Sequence, residues 1–170
     1  MKQNRTVKLA QAGLVAAVYT ALTLLIQPLS FGMVQFRVSE LLTVLPVYMP
    51  AAIPGLTVGC FLSNLIGLSM GANPAGGWDL LFGTAATGMA AWLTYAFRKV
   101  RVGRLPLLAT LPPIVFNAFI VGTELYYVYG GLPWGLHVLW VAIGQCGACA
   151  IGGCLLAWTL EKTDALRYLE

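Results

Sequence analysis

Five apolar stretches, at residues 6–27, 38–71, 78–97, 105–128 and 134–160, take up most of this 170-residue chain. A bilayer core of about 30 Å is crossed by about 20 consecutive apolar residues in a helix, and runs this long with few charges read as membrane spans. Charged residues make up only 9% of the chain, against about 25% in an ordinary soluble domain. A soluble fold is excluded on that ground. The formal charge of +4 is not a nucleic-acid footprint, because the basic residues cluster at loops rather than along one face.

The 38–71 stretch sets the topology. As a single helix it would be about 50 Å long, too long for the membrane core. It also carries Pro46, Pro50 and Pro54, and proline breaks or kinks a helix. Lys2, Arg5 and Lys8 place the N-terminus in the cytoplasm, and Arg98, Lys99, Arg101 and Arg104 place the loop after residue 97 there too. An even number of crossings must separate the two points, so the stretch turns back near Pro50–Pro54. The expectation is an all-α, single integral membrane domain of six transmembrane helices, roughly 6–27, 38–50, 54–71, 78–97, 105–128 and 134–160. Both termini face the cytoplasm of a multi-pass cell-membrane protein. The basic start followed by apolar Leu9–Ile26 has the look of a signal peptide. Its length is that of a span, however, and Gln27-Pro28-Leu29 replaces a small-residue cleavage site, so it is expected to stay as the first helix.

This topology sorts the polar residues. Glu40, Asp79 and Glu124 all fall in the outer half of the spans, on three different segments, with Asn64, Trp78, Trp134 and His137 near the same level and Asn117 and Gln145 deeper. An ionisable group inside a membrane is costly and faces a cavity or a partner. Three at one level point to one cavity open to the outside.

Each of these residues has a plainer reading. Arg37 and Glu40 form an i,i+3 ion pair at a helix start, with Ser39 a candidate cap, or the paired Glu40 still offers an oxygen to a ligand. Trp78 is an interfacial belt residue and Asp79 a first-turn acid, or the two make an aromatic shelf beside a carboxylate within GGWDLLFG. Asn117 and Glu124, seven apart, share a helix face. Interhelical hydrogen bonding accounts for Asn117 but not for a buried Glu124. His137 and Gln145, eight apart, share roughly one face as well, although a lone histidine near an interface is more often structural. Ala12, Gly13, Ala16, Ala17 and Ala21 form a small-residue row on the first helix that allows close packing, within the chain or against another membrane protein.

Cys146 and Cys149 form a C-x-x-C within GQCGACAIGGC. With no second ligand pair and His137 the single histidine, close packing of small residues is the expected role, with neither a metal nor a cofactor. The chain has no phosphate loop, no zinc-binding pair and no serine–histidine nucleophile motif. Transport driven by ATP would therefore need partner subunits, and no enzymatic activity is expected.

FRVSELLTVLP, PAAIPGLTVGCFLSNLIG and GGWDLLFGTAATGMAAWLTY resemble the QueT family, substrate-binding S components of energy-coupling factor (ECF) transporters linked to uptake of queuosine precursors. The likeness covers nearly the whole chain. It implies six helices with both termini inside, a shared membrane subunit, EcfT, and two ATPases as partners. It also implies that the small-residue row docks to EcfT, here with Gly13 in place of one alanine. The implied ligand is a 7-deazaguanine base, in its aminomethyl or cyano form, or queuine. Such a base would be met by Arg37, Glu40, Asn64, Trp78, Asp79, Asn117, Glu124, Trp134, His137 and Gln145. An S component for another small vitamin, a free-standing carrier and an intramembrane enzyme are the rival classes.

Overall fold

The structure is a computed structural model that describes residues 5–103, 105–163 and 166. Lys2 and Arg104, two of the residues used to orient the chain, lie outside the described residues. The fold is all-α. In chain order come α1 (Arg5–Leu25), a short α2 (Gln27–Ser30), a 3₁₀ segment (Val38–Val47) and α3 (Ala52–Ser69). A π-helical turn (Asp79–Gly83) leads into α4 (Thr84–Ala96), and a 3₁₀ turn (Leu107–Thr110) into α5 (Leu111–Tyr129). Finally α6 (Trp134–Gln145) runs through a second π-helical turn (Cys146–Gly152) into α7 (Gly153–Lys162). Among the described residues, four helical stretches are long and apolar enough to cross a bilayer: Arg5–Leu25, Ala52–Ser69, Leu107–Tyr129 and Trp134–Lys162.

Local sequence explains where these elements start and stop. α1 is rich in alanine and leucine, strong helix formers, and ends where Gln27-Pro28 begins the next turn. Pro28, and Pro112-Pro113 in α5, sit in the first turn of their helices, where a missing N–H breaks no helical hydrogen bond. α5 closes on Gly130, whose φ of 58° is open to glycine without a Cβ clash.

The 38–50 stretch departs from the expected α-helix. Val38–Val47 is a ten-residue 3₁₀ helix with Pro46 inside it, about 20 Å long at a rise of about 2 Å per residue. Its backbone begins extended at Arg37, and Ser39 caps nothing: its hydroxyl shares a 2.7 Å hydrogen bond with Thr23. Irregular backbone at membrane depth is tolerated when protein surrounds it. Accordingly, eight of its residues are buried, from Ser39 and Glu40 through Val47. α1, α3, α4, α7 and the second π turn all pack around it. The break expected at the prolines is present, at Tyr48–Ala51 between the 3₁₀ segment and α3.

α1 and α3 lie side by side and run parallel. A Cβ on Gly55 would sit 2.7 Å from the Ala12 carbonyl, and one on Gly59 would sit 2.9 Å from Tyr19 Cβ. The chain must therefore return between them, and it does so through the 3₁₀ segment, whose Glu40 and Ser39 meet Tyr19 and Thr23 of α1. α4 then descends along α3 (Thr87 on Cys60, Gly88 on Thr57), and α6 descends along α5 (Val138 on Gly122, Gln145 on Asn117). One end of the bundle collects Arg5, Lys8, Arg98, Lys99, Arg101 and Lys162. There Glu161 pairs with Arg101 and accepts a 2.9 Å hydrogen bond from Tyr48.

Candidate functional site

Away from the basic end of the bundle lie the buried charged and amide side chains. Arg37, at the start of the 3₁₀ segment, is 2% exposed and pairs with the fully buried Asp79 from the first π turn. Its Nε donates to the Ser30 carbonyl at 3.1 Å, and its guanidinium lies 5.3 Å from the Phe31 ring centre. Asn73 donates to Asp79 Oδ2 at 2.9 Å, and Asn64 to the Asp79 carbonyl at 2.8 Å. The expected Arg37–Glu40 pair is absent, because Asp79 takes the guanidinium. Glu40 instead accepts a hydrogen bond from the Tyr19 hydroxyl. A buried arginine needs its charge matched, and an extended residue ahead of a 3₁₀ turn reaches across the bundle rather than along its own helix.

The π turn explains how Asp79 gets there. Its widened backbone leaves room at Gly83, where any Cβ would overlap Asp79 Oδ1. Single-turn π bulges inside α-helices often mark functional sites. The turn also separates Asp79 from its neighbour: Asp79 is fully buried while Trp78 is 64% exposed and stacks on Phe82, with ring centres 5.7 Å apart. The aromatic shelf expected beside Asp79 thus stands beside a different acid, Glu124.

Trp78 and Phe82 form one wall of a 630 Å³ cleft, and Phe119, Ile120, Thr123, Glu124, Tyr127 and Val128 of α5 form the other. That is the size of a small-molecule pocket. Glu124 is buried, and neither of its carboxylate oxygens has a hydrogen-bond partner in the protein. Trp134 fixes the rim, donating from Nε1 to Thr123 Oγ1 at 3.0 Å and resting 6.2 Å from Phe119.

A third group lies deeper. Asn117 donates to Gln145 Oε1 at 3.3 Å, and the Cys149 thiol reaches the same oxygen at 3.2 Å. The Cys149 thiol also lies 3.7 Å from the Glu40 carbonyl, which brings Glu40 to the edge of this group. His137 is fully buried, edge-on to Tyr126 at 5.9 Å, with neither ring nitrogen hydrogen-bonded. Cys146 is exposed while Cys149 is buried, and all four cysteines are free.

The sequence-predicted residues therefore fall into three sets. Arg37, Asp79 and Asn64 form the ion-pair network. Trp78, Glu124 and Trp134 line or brace the cleft. Glu40, Asn117 and Gln145 meet beneath, with His137 beside Tyr126. The small-residue row divides: Ala16 is buried and Ala12 half-buried against α3, while Gly13, Ala17 and Ala21 face outward. Tyr19, Phe82 and Phe119 escaped the sequence reading, and Asn73 and Tyr127 were not among its site residues. For Tyr127 a signal existed, since Ile120, Thr123, Glu124 and Tyr127 recur at i, i+3, i+4 and i+7 and so share one face.

An all-α bundle of apolar helices around a charged interior and an aromatic cleft is the build of a multi-pass membrane protein that handles a small molecule. Residues 9–162 match the QueT transporter family, and the chain belongs to that family, whose role is transport rather than catalysis. It is 35% identical over 68 residues to the queuosine precursor transporter QueT of Lactococcus lactis subsp. cremoris (strain MG1363). That match spans 39% of this chain and 40% of the relative. No solved structure matches the chain.

Proposed function

We propose that this chain is the substrate-binding subunit of an ECF importer and takes a queuosine precursor, a 7-deazaguanine base or queuine, from outside the cell. The observation that carries this reading is Glu124, buried on the wall of an aromatic cleft with both oxygens free of protein partners. A flat heterocycle suits walls of Trp78, Phe82, Phe119 and Tyr127, as stacked bases commonly do. With Asp79 engaged by Arg37, Glu124 is the acid for a cationic aminomethyl group. Glu40, Asn64, Asn117, His137 and Gln145 shape the polar floor. The relative's name supplies the substrate class.

In this proposal the single membrane domain crosses six times, with the basic end and both termini in the cytoplasm. Gly13, Ala17 and Ala21, exposed along α1, dock to EcfT, and two ATPases supply the energy. Ala12 and Ala16 serve the contact with α3 rather than the partner.

Titration calorimetry of the purified chain with the aminomethyl and cyano bases tests the substrate, and mass spectrometry of copurifying ligand tests it independently. Binding of both bases is expected. A different vitamin in the extract, with no binding of either base, would replace the substrate. Uphill accumulation by proteoliposomes that hold this chain alone would point to a free-standing carrier.

A further inference from the structure

Gln35 combines three properties that neither the ion-pair network nor the cleft explains. It is the only non-glycine among the described residues with a positive φ, 49°, a region that side chains other than Asn and Asp seldom adopt. It is 1% exposed. Neither its amide oxygen nor its amide nitrogen has a hydrogen-bond partner in the protein.

The backbone around it is held from several sides. Gln35 N–H donates to the Gly32 carbonyl at 3.0 Å, and Arg37 N–H donates to the Gln35 carbonyl at 2.9 Å. The Val34 carbonyl and the Gln35 backbone lie against Gly144 of α6, so closely that a Cβ there would overlap the Val34 carbonyl. The turn is thus clamped between Arg37 and the residue preceding Gln145. A strained backbone persists where its surroundings over-determine it, and such positions cluster at ligand sites. A buried amide without a partner weakens the fold. Both costs fall on one residue, two positions from the Arg37–Asp79 pair.

Neighbouring polar side chains are engaged by the protein. Arg37 gives Nε to Ser30 and Nη2 to Asp79, and Asn117 gives its amide to Gln145. Gln35 Nε2 and Oε1, donor and acceptor of one planar amide, have no such partner. We propose that Gln35 is a specificity-determining residue whose primary amide takes the cyclic-amide edge of a planar heterocycle. Its N–H donates to the ring carbonyl while its oxygen accepts from the adjacent ring N–H. This rests on the substrate reading above and assigns one edge of that substrate to one side chain.

The test uses the full chain in detergent and three variants. Gln35→Met keeps the shape without the polar atoms, Gln35→Glu keeps an acceptor and loses the donor, and Gln35→Gly relieves the backbone. The probe is the uncharged cyano base, which leaves Glu124 out of the comparison. All three variants should lose about tenfold or more in affinity, the scale of a lost buried hydrogen-bond pair. Without ligand, Gln35→Met should unfold at the parent's temperature or above it. Parent-like affinity in the Met and Gly variants overturns the proposal, and so does a lowered unfolding temperature for ligand-free Gln35→Met, which would show the amide satisfied within the protein. A parent that binds no deazaguanine base overturns the substrate reading instead, and the ligand-free arm then decides Gln35 on its own.

Discussion

Glu124→Gln separates the two acids that the sequence left equivalent. Asp79 has a guanidinium and an asparagine on its carboxylate, whereas Glu124 has no protein partner on either oxygen. Removing one member of a buried charged hydrogen bond costs roughly 2–5 kcal/mol. If Glu124 holds the cationic aminomethyl group, Glu124→Gln should weaken that base by about thirtyfold or more. The cyano base lacks the cation and should lose far less. The free protein should be as stable as the parent or more so, since a buried carboxylate without a partner has been replaced by a neutral amide. Calorimetric titration with both bases, alongside a thermal melt without ligand, measures all three quantities. Equal affinity of parent and variant for both bases would refute the reasoning and make Glu124 structural. Equal weakening of both bases would move Glu124 from the substituent to the ring.

The other expectations concern the fold that presents this site. Asp79→Asn should lower stability by about 3–5 kcal/mol, because it leaves Arg37 buried without its counter-charge; an unchanged melt would mean that Ser30 and Phe31 suffice. Gly83→Ala forces the Asp79 carboxylate off its seat, so it should cost roughly 1–3 kcal/mol and weaken ligand binding with it, measured by melt and titration together. Gly59→Leu wedges α1 from α3 and should reduce folded yield from membranes, whereas Gly13→Leu, with open space around its Cβ position, should leave folding and ligand affinity intact while abolishing copurification with EcfT. Failure of Gly13→Leu to bind ligand would show that this face is needed inside the chain.

The sequence by itself determined the solvent, the helical class and the break in the second apolar stretch. Those follow from one-dimensional constraints: a bilayer requires long apolar runs with internally satisfied backbones, and Pro46, Pro50 and Pro54 cannot sit in one continuous α-helix. It also marked Arg37, Asp79 and Glu124 as exceptional, because a charge in an apolar run needs a reason wherever it points. Which charge meets which was decided only in three dimensions. Arg37 had Glu40 three residues away and chose Asp79, forty-two residues on, because an extended backbone and a π turn brought those two groups together in the interior. Trp78 and Asp79 are neighbours in sequence and serve different regions for the same reason. The small-residue row divided between α3 and the outside according to how α1 was rotated, a matter of packing against Gly55 and Gly59. The backbone and the partnerless amide of Gln35 were not legible in one dimension: a positive φ and an amide sealed away from partners exist only once the loop is clamped against Gly144.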